Sequence, residues 1–161
     1  MATHAASGSL PRPSFDAPVR VLLVVAPFYR DIADALVAGA GAALDAAGAG
    51  HETIEVPGAL EIPAAIALVS RAGAFDGYVA LGCVIRGETT HYETVCNDSS
   101  RGLTLLGLEG VPVGNGILTV ENHAQARVRA DPQGADKGGG AADAALHLVA
   151  LARRFGAGKR A

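Results

Sequence analysis

Three short apolar runs and a weaker predicted strand, at residues 52–56, alternate with segments of helical periodicity, and this alternation restricts the possible fold more than any other feature of the sequence. The runs are rich in valine, and between them apolar residues recur three and four positions apart. A continuous apolar run of this length is typical of a strand buried on both faces of a parallel sheet. The predicted strands cover residues 20–26, 52–56, 78–85 and 111–120.

Helices are predicted between these strands and after the last of them. The helical stripes begin near Ile32, Ile62 and Tyr92, and two further helices cover residues 122–130 and 139–155. Strands that are joined through helices pair in parallel, with helices on both faces of the sheet. We therefore predict an α/β fold, a three-layer sandwich around a four-stranded parallel sheet with flavodoxin-like topology.

The length of 161 residues corresponds to about one domain. Residues 1–18 are rich in Ser, Pro and Gly and lack an apolar block, so we predict a flexible tail there and a single α/β domain over residues 19–161. The chain has 33 Ala and 21 Gly, which favours a core of closely packed backbones. No apolar run approaches the roughly 18 residues that a membrane-spanning helix needs.

Composition also argues against several classes of partner. The formal net charge of −3 is unfavourable for binding nucleic acid or an anionic membrane, both of which attract basic patches. The histidines are scattered, and Cys83 and Cys96 fit no ligand spacing, so no metal site is predicted. Reduced cysteines in a cytoplasmic protein are the simpler interpretation, with a single disulfide as the alternative. Cys96 follows His91 by five residues, a poor helical spacing for a thiolate–imidazole pair.

Polar side chains collect where the predicted strands end, although only 18% of the residues are charged. Glu61 follows the second strand, residues 86–93 follow the third, and Glu121 follows the fourth. Ligands of open parallel sheets bind beyond the carboxyl ends of the strands. The sequence therefore predicts a ligand site at this edge of the sheet.

Residues 86–93 begin the third helix. Thr90 and Glu93 have the spacing of a capping box, in which each side chain bonds the backbone of the other residue. This interpretation is purely structural, and a ligand site is the alternative. Gly87 favours the ligand site, since it allows a close approach of the backbone to a bound molecule.

A helix that begins directly after a strand also suits an anion. The N–H groups near Glu88 and Thr89, with the Thr89 hydroxyl, are predicted to bind a phosphate. His91 is expected to face the same crevice and to transfer protons, because histidine ordinarily has a pKa of about 6.5.

Three further features have two interpretations each. Phe28 stands at the end of the first strand, where its ring either fills the core, the favoured alternative on the residues alone, or stacks on a flat heterocycle. Glu61 suits the first turn of a helix through the dipole, and it could equally bind a ligand hydroxyl. Arg127, Arg129 and Lys137 form either a solvated basic segment or an anion site that serves an adjacent subunit.

Three segments together closely resemble the 6,7-dimethyl-8-ribityllumazine synthase family. They are VPGALEIP at 56–63, ALGCVIRGETTHYE at 80–93 and NGILTVEN at 115–122. The resemblance extends from about Val19 to Arg154, and its most specific part is the Gly-Glu-Thr-Thr-His block. It implies that 5-amino-6-(D-ribitylamino)uracil condenses with 3,4-dihydroxy-2-butanone 4-phosphate, releasing phosphate and water without a metal or organic cofactor. This is the penultimate step of riboflavin biosynthesis.

The resemblance also implies roles for individual residues. His91 would transfer protons, and Phe28 would stack on the pyrimidine. The remaining residues would surround the substrates, from the pyrimidine ring through the ribityl chain to the phosphate: Ala59, Leu60, Glu61, Cys83, Val84, Ile85, Glu88, Thr89, Asn115, Arg129 and Lys137.

The family builds its site between neighbouring subunits, so the resemblance implies a homo-oligomer that acts on small-molecule substrates. Arg129 matches the family's phosphate-binding arginine, whereas Arg127 is two residues out of register. Asn115 replaces an aromatic residue that many relatives have. The connector at 130–136 lacks the Gly-Lys-rich sequence associated with icosahedral shells, which favours a pentamer over a shell.

Three other classes of protein share parts of this pattern. A noncatalytic flavin binder of flavodoxin type would need a Ser/Thr-rich loop after the first strand, where residues 27–30 offer none. A purely structural oligomer would not need His91, Glu61 and Arg129 at positions that match the family. A receiver domain would need an acceptor Asp at the end of the third strand, where Cys83 and Val84 stand instead.

Overall fold

The computed structural model describes residues 9–156, and its elements follow the alternation expected from the sequence. The strands are β1 (Arg20–Val25), β2 (Gly50–Glu55), β3 (Gly77–Ile85) and β4 (Val113–Val120). The helices are α1 (Arg30–Ala46), α2 (Glu61–Ser70), α3 (His91–Leu108), α4 (His123–Ala130) and α5 (Lys137–Arg154). Among these described helices, none is long and apolar enough to cross a membrane.

The four strands form one parallel sheet in the order β2-β1-β3-β4. β1 lies in its interior, where Val24 is opposite Ile54 of β2 and Ala80 of β3. Helices cover both faces of this sheet. The structure therefore has the predicted three-layer, flavodoxin-like α/β architecture.

Alternate residues of β1 belong to two separate cores, because successive side chains of a strand point to opposite faces. Val21, Leu23 and Val25 pack with α1, α4 and α5 on one face. Leu22 and Val24 pack with α2 and α3 on the other. Both faces of β1 are buried, which explains why its sequence is a continuous apolar run.

The helix layer that contains α5 approaches its neighbours more closely than ordinary side chains permit. A Cβ at Gly138 would lie 2.1 Å from the carbonyl oxygen of Leu36 in α1. A Cβ at Gly114 in β4 would lie 1.9 Å from the carbonyl oxygen of Ala141 in α5. These positions require glycine, so the Ala- and Gly-rich composition reflects backbone-to-backbone packing on this face.

The predicted boundaries differ from the observed ones by a few residues. β2 begins at Gly50, two residues early, and it is an edge strand with mostly exposed side chains. α5 begins at Lys137, because the Asp136 side chain accepts a hydrogen bond from the Gly139 N–H at 3.0 Å and caps the helix. Pro63 is the third residue of α2, in the first turn, where its missing N–H removes no helical hydrogen bond.

The predicted tail is described in part, since residues 1–8 lie outside the described range. Residues 9–18 contain no helix or strand. Arg12 forms an ion pair with Asp143 of α5 at 2.6 Å, and Arg153 donates hydrogen bonds to the carbonyl oxygens of Ala17 and Pro18. The second half of this segment therefore contacts α5, and the domain boundary at residue 19 stays a prediction.

Candidate active site

A cavity of about 390 Å³ lies at the carboxyl ends of β1, β2 and β3. We call it the carboxyl-end cavity. Eight of the predicted site residues line it, together with four neighbours. The lining consists of Phe28, Tyr29, Pro57, Gly58, Ala59, Leu60, Glu61, Cys83, Val84, Ile85, His91 and Val95.

Phe28 lies at the mouth of this cavity rather than in the core. Its side chain is 75% exposed, and its ring contacts the Tyr29 ring edge-on at a centroid distance of 5.0 Å. The interpretation of Phe28 as a core residue is therefore wrong, because Phe28 lies in the link between β1 and α1, where its ring is exposed. An exposed ring at this position is available to a flat ligand.

Glu61 is the first residue of α2 and closes the turn that follows β2. Its backbone N–H donates a hydrogen bond to the carbonyl oxygen of Gly58 at 3.1 Å. Its carboxylate lies so close to Gly58 that a Cβ there would be 2.9 Å from Oε2. The carboxylate is thus folded over the turn and lines the cavity as an acceptor for hydroxyl or amide donors.

His91 is the first residue of α3, as expected, but the helix begins without the predicted capping box. Thr90 makes no side-chain hydrogen bond to the helix N-terminus. The Thr89 hydroxyl instead accepts a hydrogen bond from the His91 N–H at 3.3 Å. The capping-box prediction is wrong because Glu93 has a different partner, Arg86.

Arg86 is at the centre of a cluster that sequence reasoning missed. Its Nη1 donates to Glu93 Oε1 at 2.7 Å, its Nε donates to Glu121 Oε2 at 2.8 Å, and its guanidinium lies 4.3 Å from the centre of the Tyr92 ring. These hydrogen bonds raise the pKa of Arg86 and lower that of Glu93. We call these four residues the Arg86 cluster. The sequence did contain an indication of it, because Arg86 follows the third predicted strand and glutamates follow both the third and the fourth.

Glu88 and Thr89 line neither this cavity nor the groove described next. Both are exposed in the turn that joins β3 to α3. Their backbone N–H groups are next to the helix start, where the dipole favours an anion.

The other predicted residues lie together in a second region, a groove of about 460 Å³ between β4 and α5. Asn115, Arg129 and Lys137 line this β4–α5 groove, which shares no lining residue with the carboxyl-end cavity. Arg127 instead lines a groove between α1 and α4. The structure therefore separates the two arginines that the sequence left as competitors.

The polar groups of the β4–α5 groove differ in the hydrogen bonds and ion pairs that they form. Asn115 Oδ1 accepts a hydrogen bond from its own strand, from the N–H of Ile117 at 2.9 Å. Arg129 donates only to the carbonyl oxygen of Gln125, at 3.4 Å, and no carboxylate within residues 9–156 pairs with Arg129 or Lys137. This cationic surface is free to bind an anion.

The cysteines are not poised for nucleophilic chemistry. Burial raises the pKa of the Cys83 thiol to about 11, and burial also raises the pKa of the Cys96 thiol. Both are free thiols. In the part of the chain that the structure describes, no group of three or more His, Cys, Asp or Glu residues could hold a metal ion.

A parallel sheet with an exposed ring, a carboxylate and an imidazole around a cavity at its carboxyl ends defines an α/β enzyme that acts on small molecules. Comparison with known proteins identifies the particular family. The family model described as 6,7-dimethyl-8-ribityllumazine synthase matches residues 18–153. This chain belongs to the 6,7-dimethyl-8-ribityllumazine synthase family.

Individual relatives agree with the family model. The 6,7-dimethyl-8-ribityllumazine synthase of Jannaschia sp. (strain CCS1) is 56% identical over 161 residues, which cover 100% of this chain and 90% of the relative. That of Novosphingobium aromaticivorans is 60% identical over 136 residues, 84% of this chain and 98% of the relative. The 6,7-dimethyl-8-ribityllumazine synthase 1 of Rhizobium meliloti is 55% identical, with 88% of this chain and 97% of the relative covered.

Proposed function

We propose that this chain condenses 5-amino-6-(D-ribitylamino)uracil with 3,4-dihydroxy-2-butanone 4-phosphate to give 6,7-dimethyl-8-ribityllumazine, with release of phosphate and water. The observation that carries this proposal is that eight residues from separate parts of the chain line one cavity of about 390 Å³. Family membership over residues 18–153 supports the same reaction.

The carboxyl-end cavity suits the pyrimidine substrate. The ring of Phe28 is exposed and can stack on the heterocycle, and the end of β3 lines the cavity beside it. The carboxylate of Glu61 is an acceptor for the hydroxyl groups of the ribityl chain. Such a site binds the substrate through one flat face and a few directional hydrogen bonds.

The chemistry requires proton transfers and close positioning. The 5-amino group attacks the ketone and loses water as an imine forms; phosphate then leaves, and the ribitylamino nitrogen closes the second ring with loss of water. His91 lines the cavity and is the proposed proton-transfer residue. No electrons are gained or lost overall, and holding both substrates in one geometry can lower the barrier by roughly 7–11 kcal/mol.

The phosphate is proposed to lie between two subunits. The N–H groups of Glu88 and Thr89 would bind it from one chain, and Arg129 and Lys137 from the next. The separation of the β4–α5 groove from the carboxyl-end cavity supports this arrangement, as does the lack of carboxylate partners for these two cations among the described residues. Cationic and N–H donors stabilise the charge that develops as phosphate leaves.

A homo-oligomer, and specifically a pentamer, is part of the proposal. The neighbouring helices α2 and α3 expose Leu68, Leu105 and Leu108, and such apolar groups are typical of a surface that another subunit covers. The connector sequence at 130–136 favours a pentamer over an icosahedral shell. The free thiols of Cys83 and Cys96 support a reducing, cytoplasmic location.

The direct test uses the purified protein with both substrates. We expect the lumazine, detected by its fluorescence, and inorganic phosphate to appear together and in equal amounts. When either substrate is left out, neither product should form faster than it does in buffer without protein. Binding of the pyrimidine without release of phosphate would instead identify a noncatalytic binder and contradict the proposal.

A further inference from the structure

The turn between β3 and α3, residues 86–90, has no buried residue. His91 directly after it is exposed as well. Exposed loops without core contacts are ordinarily mobile, because few interactions oppose their opening. A catalytic arrangement must be held within about 0.5 Å of its working geometry. Within one chain, hydrogen bonds rather than packing therefore fix this turn.

The Arg86 cluster supplies those bonds. Arg86 is the first residue of the turn and Glu93 lies in α3 beyond its last residue, so the 2.7 Å bond between their side chains joins the two ends of the turn. A second bond, of 2.8 Å, ties Arg86 to Glu121 beyond the end of β4. The backbone N–H of Arg86 also donates to the carbonyl oxygen of Val120 at 3.0 Å. The turn is thus linked to α3 and to the neighbouring strand.

The orientation of Arg86 is fixed as well as its position. Its guanidinium lies 4.3 Å from the centre of the Tyr92 ring, in a cation–π contact. A planar group with two carboxylate partners and one aromatic face has a single favoured orientation. Tyr92 is the residue after His91, so the contact also orients the first turn of α3.

Arg86 is not positioned to bind substrate phosphate itself. Its charge is balanced by two carboxylates at 2.7 and 2.8 Å, and it does not line the carboxyl-end cavity. Arg129 is the opposite case, since it has no carboxylate partner within residues 9–156. The two arginines therefore serve different purposes.

We propose that Arg86 is a positioning residue: through Glu93, Glu121 and Tyr92 it holds the β3–α3 turn in the geometry in which Thr89 and His91 meet the substrates. This inference rests on the proposed condensation and deepens it. It differs from direct catalysis because Arg86 acts through the turn rather than on the reacting atoms.

Replacement of Arg86 by methionine tests the proposal, since methionine retains the apolar stem but no charge. We expect kcat/KM for the butanone phosphate to fall on the order of 100-fold, the usual cost of a misplacement of about 1 Å. KM for the pyrimidine, which the Phe28 side of the cavity binds, should stay near its original value. Within residues 86–92, the hydrogen-bonded amides of Arg86 and His91 should exchange faster, while exchange in β1 stays slow.

Arg20 provides a matched control at the amino-terminal ends of the strands, opposite the carboxyl-end cavity. Its Nη2 forms an ion pair with Glu52 at 2.7 Å, and its guanidinium lies 4.9 Å from the centre of the Phe75 ring. Arg20→Met therefore removes the same kinds of contact at the first residue of β1. Both variants should lose similar small amounts of thermal stability, but only Arg86→Met should lose turnover.

A conservative variant guards against a trivial folding defect. Arg86→Lys keeps the charge but cannot bond both carboxylates or stack as a plane, so it should recover only part of the rate. Equal kinetic losses in Arg86→Met and Arg20→Met, or an unchanged exchange rate in residues 86–92, would overturn the proposal. If the unaltered protein makes no lumazine, the proposed condensation fails, and hydrogen exchange alone still decides whether Arg86 fixes the turn.

Discussion

The carboxyl-end cavity and the β4–α5 groove contain different kinds of polar side chain. The cavity contains rings, a carboxylate and the imidazole of His91, but no lysine or arginine lines it. The groove contains Arg129 and Lys137, but no histidine or carboxylate lines it. A substrate pair with one flat ring and one phosphate needs both sets.

Within one chain these two surfaces are separate, and each supplies only part of what the proposed substrate pair needs. The carboxyl-end cavity has no lysine or arginine in its lining, the β4–α5 groove has no histidine or carboxylate, and the two surfaces share no lining residue. A head-to-tail interface in a ring of identical subunits brings unlike surfaces together at every contact. The proposed site between subunits makes one complete surface from two partial ones.

The largest expected effect is on the cavity side. His91→Ala should lower kcat by about 10²- to 10⁴-fold, because it removes the proposed proton-transfer group. KM for the pyrimidine should change little, since Phe28 and Glu61 remain. Steady-state lumazine fluorescence measures both parameters, and an unchanged kcat would remove His91 from the mechanism.

The next effect belongs to the groove. Arg129→Ala should raise KM for the butanone phosphate about 10- to 100-fold, the value of a hydrogen bond to a charged group. Arg127→Ala is the matched control, because Arg127 lines a different groove and should leave KM unchanged. Equal increases in KM for both substrates would contradict a phosphate role for Arg129.

A mixed assembly tests whether the two surfaces meet between chains. His91→Ala and Arg129→Ala chains that are produced together should regain activity at low butanone phosphate, because about a quarter of the interfaces then combine an intact His91 with an intact Arg129. Activity that stays at the sum of the two separate variants would mean that each chain builds its site alone.

Phe28 should show a smaller effect that is confined to one substrate. Phe28→Ala should raise KM for the pyrimidine about tenfold, because base stacking on an aromatic side chain is lost. Its side chain is exposed, so the temperature of unfolding should not fall. A large drop in that temperature would restore the interpretation of Phe28 as a core residue.

The smallest effect concerns stability and pH. A hydrogen bond from Arg30 lowers the pKa of Glu55, the last residue of β2. A lowered pKa contributes stability above the usual carboxyl range, and that stability is lost as the pH falls through the folded-state value. Glu55→Gln should therefore unfold at a slightly lower temperature than the original chain at pH 7, and the difference should shrink as the pH falls below the usual carboxyl range. A difference that does not shrink with falling pH would show that the ion pair is not its cause.

Much of the fold was predictable because burial on both sheet faces produces continuous apolar runs. The residues of the carboxyl-end cavity were predictable for a related reason, since parallel strands bring their carboxyl ends to one edge. Arg86 was missed because its partner Glu121 is 35 residues away in the sequence. Glu93 was assigned to a capping box by local spacing, whereas the fold offers it a stronger partner.

Phe28 illustrates a second limit of sequence reasoning. An aromatic residue after a buried strand resembles a core residue, and only the path of the chain into α1 shows that the ring is exposed. The separation of Arg127 from Arg129 has the same origin, because α4 directs them into different grooves. Spacing predicts which residues are near one another in the chain but not which surface each one joins.

The exposed turn from Arg86 to His91 also has a consequence for how such a protein can change. Since none of these six residues is buried, substitutions there leave the two apolar layers untouched. The residues proposed to act on the substrates and the residues that stabilise the fold thus lie in different parts of the chain. This makes the turn the natural place to alter substrate preference by directed evolution, provided that Arg86, Thr89 and His91 are kept.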